Sequence, residues 1–569
     1  MRRLLRRTLD GVRIAALALV LAACGGGGTP EPPTLPLAEQ PAEKDVARFL
    51  SQAAFGGSGA QIDRTRRIGF DAWFDEQFAS PHNRHQAYFD AQAEYAALAG
   101  ESTSKTNWVY ESFWRVAVRG NDQLRHRVAF ALSQIFVVSL ADAAVGGNPR
   151  GVASYMDMLG RNAFGNFRTL IEEVSLHPMM GLYLSHLRNQ KEDPASGRVP
   201  DENYAREVMQ LFTIGLYELN PDGTVRLDSR NEPIETYTND DVTGLARVFT
   251  GWSWAGPDKS DSRFRGGSPD PDRAVKPMQP YPKFHSTSEK RFLGVTVPAQ
   301  DSADPAASLR VALDRLHAHP NVGPFIGRQL IQRLVTSNPS PVYVARVAAA
   351  FDDNGAGVRG DMKAVIKAVL LDPEARNPPA GSSEYGKVRE PVLRIAHWLR
   401  TFSGRSAADR YLIGNTDNPN NSLGQTPMRA PSVFNFYRPG YIPPNSAIAE
   451  AGLVAPELQI THESSVAGYL NTLRSVLSSG IGSGSPRDVQ ADYGEVIGLA
   501  DRPDALVDRL ALLLLAGEMS DELRVQLVDA VGSVAVSATN AQSAATARSN
   551  RVKLAIFLIM ASPEYLVQK

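Results

Sequence analysis

The segment Asp45-Val46-Ala47-Arg48-Phe49-Leu50-Ser51-Gln52-Ala53 carries Val46, Phe49, Leu50 and Ala53 at steps of three and four, the spacing at which side chains share one face of a helix. Phe70, Trp73, Phe74 and Phe78 repeat that spacing just downstream. Further along the chain it recurs over 108–118, 124–140, 164–184, 204–216, 242–249, 309–316, 322–335, 342–351, 362–371, 388–402, 466–477, 506–515 and 552–560. The fold class predicted is therefore mainly α, a large multi-helix globular body.

One interruption reads differently. Between 216 and 238, Asn220-Pro221-Asp222-Gly223 is turn chemistry between short extended runs, which predicts a small inserted β-hairpin. Glu218, Asn220 and Asp222 imitate the start of a calcium loop, but no acidic residue stands at the twelfth position from Glu218. Residues 256–282 are rich in Gly, Pro and Asp without periodicity and predict a long loop. The expected organisation is a helical core over 44–477 and, after a polar stretch at 478–486, a C-terminal helical region over 487–569 packing on it.

The chain has 569 residues, enough for two to four structural units at about 150 residues each. With 43% hydrophobic and 21% charged residues it is of globular composition, which excludes disordered, collagen-like and disulfide-scaffold classes. Lys plus Arg (60) balance Asp plus Glu (61), so nothing calls for a nucleic acid partner.

The N-terminus reads as an export signal. Arg2, Arg3, Arg6, Arg7 and Arg13 precede an apolar run, Ile14 to Ala23, too short to span a bilayer permanently. It ends in Leu21-Ala22-Ala23-Cys24-Gly25, which resembles a bacterial lipobox, and Cys24 is the sole cysteine. The expectation is cleavage after residue 23 and lipidation of Cys24, giving a protein that sits on a membrane without crossing it. Glycine rather than aspartate at position 25 favours, by resemblance to Gram-negative lipoproteins, the outer membrane. Loss of five arginines and one aspartate with residues 1–23 leaves 55 basic against 60 acidic residues. Residues 24–43 read as an extended tether.

Some motifs are decoys. Gly381-Ser382-Ser383-Glu384-Tyr385-Gly386-Lys387-Val388 has phosphate-loop spacing up to its lysine, but Val388 replaces the magnesium-binding hydroxyl. His462-Glu463 lacks the second histidine of a zinc-protease helix. Thr238 with Asp241 is a capping box.

The informative stretch is Asp201-Glu202-Asn203-Tyr204-Ala205-Arg206-Glu207-Val208-Met209-Gln210-Leu211-Phe212, where Glu202 and Arg206, and Asn203 and Glu207, lie four apart beside an apolar side of Tyr204, Val208, Leu211 and Phe212. Together with 47–56, Gly165-Asn166-Phe167-Arg168, His177-Pro178-Met179-Met180, 236–242, Phe249-Thr250-Gly251-Trp252, 285–294, 320–334, Gly386-Lys387-Val388-Arg389-Glu390-Pro391 and 424–437, it resembles the bacterial DUF1800 family over nearly the whole mature chain. Phe130-Ala131-Leu132-Ser133-Gln134-Ile135-Phe136 and Pro431-Ser432-Val433-Phe434-Asn435-Phe436-Tyr437 depart from the commoner family pattern. The resemblance implies a large exported helical protein with no established activity, often encoded beside exported sulfatase-like DUF1501 proteins. It transfers no catalytic residue and names no cofactor.

Among the motif positions, Glu202, Glu207, His177 and His285 carry groups suited to acid–base work or metal ligation and are the catalytic candidates. Asn203, Arg206, Lys290 and Trp252 are the candidates for holding a substrate, Trp252 by stacking together with the aromatics around the long loop. Glu202 and Glu207 stand roughly 140° apart on a helix and cannot flank one scissile bond as a pair. His177, before Pro178, is placed to cap a helix. Two functions follow as expectations: a lipid-anchored binding or assembly factor for an envelope glycan or an exported DUF1501-type partner, and a metal-assisted or acid–base hydrolase of the cell envelope.

Overall fold

The computed structural model describes residues 34–379, 382–537 and 539–569, so the signal segment and Cys24 lie outside the described residues. The mainly α expectation holds. Helix α1 (Glu43–Ala53) buries Val46, Phe49, Leu50 and Ala53, and α2 (Gly59–Ala79) lays Phe70, Trp73 and Phe74 around Phe49 with ring centroids 4.6, 4.8 and 5.7 Å away. A capping box from Ser58 and Gln61 starts α2. It kinks at Gly69, where φ is 77° and a Cβ would stand 2.8 Å from the Leu35 side chain. The end of the expected tether is thus not extended but folded onto the body, with Leu35 N–H donating to Arg67 O and a short 3-10 turn at Leu37–Glu39.

Next come α3 (His85–Leu98), α4 (Asn107–Arg119), α5 (Gln123–Ser133) and α6 (Pro149–Asn162), with α6 packed on the other three. The helical spacing over 124–140 overstates α5, which stops at Ser133. Beyond it the carbonyls of Gln134 and Phe136 go to tertiary donors, Arg333 Nη2 and Tyr155 OH, and Leu140 N–H to Met428 O. The spacing over 164–184 is divided into α7 (Phe167–Leu176) and α8 (Pro178–Tyr183) because Pro178 cannot continue the first helix.

After α9 (Asn203–Gln210), the predicted hairpin is a finger of three extended segments, each bonded to the other two: Arg226 N–H to Glu218 O, Ile234 N–H to Arg226 O, and Glu218 N–H to Ile234 O. Helix α10 (Asn239–Ala246) follows, started by the capping box of Thr238 and Asp241. Then come α11 (Pro305–His317), the mutually packed α12 (Val322–Leu334), α13 (Pro341–Asp352) and α14 (Met362–Leu371), then α15 (Pro391–Thr401), α16 (Glu463–Ser479), and the mutually packed α17 (Pro503–Leu515), α18 (Asp521–Gly532) and α19 (Ala541–Ala561).

The strands are short antiparallel pairs: β1 (Trp252–Ser253) with β2 (Gln279–Pro280), β3 (Lys290–Phe292) with β4 (Val295–Val297), β5 (Lys387–Val388) with β8 (Val567–Gln568), and β6 (Arg405–Ser406) with β7 (Val489–Gln490). One continuous apolar cluster runs from Val46 to Tyr565, and α17 packs on α1 and α15. The 256–282 stretch closes on itself, with Phe264 stacked on Phe284 at 3.8 Å and Tyr281 OH donating to Trp254 O. Among the described residues no helix is long and apolar enough to cross a membrane.

Candidate functional site

The candidates read from the sequence occupy separate surroundings. Glu202 pairs with Arg206 at 3.5 Å on the half-exposed start of α9 and accepts Thr243 Oγ1, while Asn203 Nδ2 reaches Ser185 Oγ. Glu207, on the opposite side of the helix, is buried, its Oε2 has no hydrogen-bond partner, and burial pushes its carboxyl up. His177 caps α8, its Nδ1 accepting Met179 N–H at 3.2 Å, and burial lowers its pKa to about 3. His285 and Lys290 share a neighbourhood on Glu192, which accepts Ser286 and Ser288 and whose charge reaches both. His285 itself is fully buried between Thr250 O at 2.8 Å and Ser308 Oγ at 3.1 Å, which lowers its pKa to about 4, mainly by desolvation. Trp252 is 4% exposed, its indole N–H has no partner, and it walls a cavity of about 350 Å³ with Arg168, Glu172 and Arg310. No hydrogen bond or ion pair joins Glu207, His177 and His285 to one another.

A different place gathers polar chemistry. A cleft of about 810 Å³ opens between the 82–84 turn, α3, α4 and the loop after β6, with His82, Asn83, Arg84, Tyr88, Gln92, Tyr95, Ser112, Arg115, Asp409 and Arg410 in its wall. Two further imidazoles lie beneath it, next to His82 of the wall: the His126 ring is 5.6 Å from His82 and 5.1 Å from His85.

Two carboxylates hold this cluster. Asp157 of α6 accepts the N–H groups of His85 and Gln86, capping α3, whose preceding residue Arg84 has no acceptor to offer. Asp122, at the start of α5, accepts the backbone N–H and the side-chain amide N–H of Asn83 and lies 3.1 Å from His126 Nε2 one turn on. His85 Nδ1 meets Ser112 Oγ at 3.0 Å.

Burial, then the charge of His126, lowers His82 to a pKa of about 3, and burial holds His85 well below its ordinary range. Burial pushes Asp157 up to about 6 against its two N–H bonds. Burial opposes ionisation of Asp122 too, but His126 and Asn83 outweigh it and hold its carboxyl low. At neutral pH His82 and His85 are thus neutral, and Asp157, at about 6, is the group of the cluster poised nearest to proton exchange.

Two water-sized cavities of about 20 and 10 Å³ lie behind it, the first lined by His85, His126 and Ser133 and the second by Ser133, Gln134 and Gln425. Gln134 and Gln425 of the second also bond Glu390, buried at the start of α15, whose Oε2 accepts Gln134 Nε2, Gln425 Nε2 and Tyr437 OH at 2.6, 2.5 and 2.9 Å. The two stretches that depart from the family pattern therefore meet here, through Gln134 and Tyr437. Lys387 pairs with Glu457 at 3.0 Å, both fully buried; the lysine of the phosphate-loop decoy is a core ion pair.

The signals for the cleft were His82-x-x-His85 and Asp122-x-x-x-His126, three of ten histidines, outside the motifs that drew the reading elsewhere. Among the described residues no group of three or more His, Cys, Asp and Glu is arranged to hold a metal ion. No curated protein and no solved structure matches the chain. The family model described as protein of unknown function, DUF1800, matches residues 48–567, which takes in the cleft, the histidines and the Glu390 network alike. On a match of that extent, the chain belongs to the DUF1800 family.

Proposed function

We propose that this protein is exported, anchored to a membrane through lipid on Cys24, and binds a polar component of the cell envelope in the cleft between α3 and α4. The single observation that carries the reading is the cleft itself, an open volume of about 810 Å³ walled by guanidinium, amide and tyrosine side chains. The ligand is an envelope polymer or a segment of an exported partner such as a DUF1501-type protein, and the anchor is at the outer membrane. The test is co-sedimentation with isolated envelope of the full-length protein in a Cys24→Ser background, which has no lipid to hold it there, with Tyr95→Ala and Gln92→Ala added in that background, beside labelled-palmitate incorporation in wild type and Cys24→Ser. Loss of sedimentation in the cleft variants and of label in Cys24→Ser is expected.

The histidine cluster favours a second reading, an acid–base hydrolase. His82 stands at the cleft wall 4.0 Å from the carboxylate of Asp157, whose pKa of about 6 suits proton exchange near neutral pH, and the arginines of the wall can stabilise the charge that forms. Turnover of an envelope polymer that disappears in His82→Gln while ligand binding persists would select this reading over binding alone.

A further inference from the structure

We infer that the cleft is built for an acidic saccharide chain, one whose sugars carry carboxylate or phosphodiester groups. The inference rests on the cleft being the binding site. Three guanidinium groups from separate segments open into it: Arg84 before α3, Arg115 on α4, and Arg410 after β6. The Arg84 side chain makes no hydrogen bond or ion pair among the described residues, though its charge is felt by Asp157. Arg115 meets only Asp409, at 3.5 Å, and that carboxylate is 82% exposed, so the pair is easily exchanged for a ligand.

Arg410 is held from below. Its Nε and Nη2 bond the buried Glu111, which also accepts Tyr88 OH at 2.8 Å, so one carboxylate fixes a cation and an aromatic ring together. Nη1 of Arg410 makes no hydrogen bond among the described residues. A guanidinium oriented by a buried partner and still holding spare donors is preorganised for an anion. Asp409 is the one acidic side chain in the wall against three arginines. The near balance of 60 basic and 61 acidic residues in the whole chain hides this local excess.

The rest of the wall points to sugar. Tyr88 and the exposed Tyr95 offer flat aromatic faces for the C–H side of a pyranose, and Asn83 and Gln92 offer amides that both donate and accept, as hydroxyl groups require. The apolar lining is confined to Ala87, Val116 and Ala408, which gives an acidic peptide no pocket for an anchoring side chain.

The test is titration calorimetry on the full-length protein with four probes: oligogalacturonate for carboxylate, a phosphorylated mannan oligosaccharide for phosphodiester, neutral maltohexaose, and a hexaglutamate peptide. One acidic saccharide should bind at least about tenfold more tightly than maltohexaose, and Arg84→Gln and Arg115→Gln should each weaken it by about tenfold. Arg84→Lys should restore part of the loss, and affinity should fall as salt is raised. Which acidic probe binds better decides between carboxylate and phosphate. Equal or tighter binding of maltohexaose or hexaglutamate, lost in Tyr95→Ala, would overturn the ligand class and leave the cleft as a binding site. Binding of no probe, or binding unchanged in Arg84→Gln, Arg115→Gln and Tyr95→Ala alike, would overturn both.

Discussion

The carboxylate of Asp157 accepts the backbone N–H of His85 at 2.7 Å, so a side chain of α6 caps a helix 72 residues away that has no cap of its own. The same residue carries His85 against Ser112 and His126. One contact therefore starts the helix that walls the cleft and sets the imidazole beneath it.

Asp157→Ala should cost about 1–2 kcal/mol, the price of leaving a helix start without its acceptor. The pH dependence has a definite sign. The folded pKa of Asp157, about 6, lies above the ordinary aspartate value of 3.8, so the native state keeps the proton longer than the unfolded chain. The group's contribution is full below pH about 4 and is lost as pH rises through 6, by on the order of 3 kcal/mol. Asp157→Asn cannot titrate, so its melting-temperature deficit against wild type should shrink across that window. A constant deficit from pH 4 to 7 would contradict the assignment.

His82 behaves in the opposite sense. Its folded pKa of about 3 lies below 6.5, so the unfolded chain takes up a proton first and stability is lost as pH falls below about 6.5. In histidine-labelled NMR spectra of the native protein, the His82 ring signals should stay flat between pH 5 and 8. A midpoint near 6.5 would show that the ring is not desolvated in this way.

The helical body was legible because its signal is local: Val46, Phe49, Leu50 and Ala53 declare their face within one segment, and all four are buried. The turn at Asn220–Gly223 was equally local, but the bond from Glu218 to Ile234 that closes the finger is not written in either turn. The cleft required contacts that no spacing encodes, Asp157 with His85 and Glu111 with Arg410, the latter 299 residues apart. Asp122 and His126 were one helical turn apart and could have been noticed; without Asn83 and Asp157 they look like an ordinary surface pair. His177, His285 and Lys290 stood in recognisable motifs, and burial turns them into capping and core groups.

Glu457→Gln should destabilise the fold by about 3–5 kcal/mol, because it strands the ammonium of Lys387 in the interior. The double variant Glu457→Leu, Lys387→Met should be less damaging than the single one. Urea unfolding of the three proteins measures the difference, and a double variant worse than Glu457→Gln would contradict the ion-pair account.

Gly244 sits where α10 meets β3, and a Cβ would stand 1.7 Å from Arg291 O, which is backbone and cannot move aside freely. Gly244→Ala should therefore cost about 3 kcal/mol or prevent folding of that corner. A thermal melt within one degree of wild type would show that the helix and strand have room to separate.

The cleft, rather than the motif residues, is the proposed working site. The most direct measurement is co-sedimentation with isolated cell envelope of the full-length protein in a Cys24→Ser background, which has no lipid anchor, comparing the pair Tyr95→Ala, Gln92→Ala with Glu207→Gln and His285→Ala at matched fold content by circular dichroism. Retention lost in the cleft pair and kept in Glu207→Gln and His285→Ala is the predicted result. Retention kept in the cleft pair and lost in the other two would contradict the account and return the site to α9 and the His285 neighbourhood.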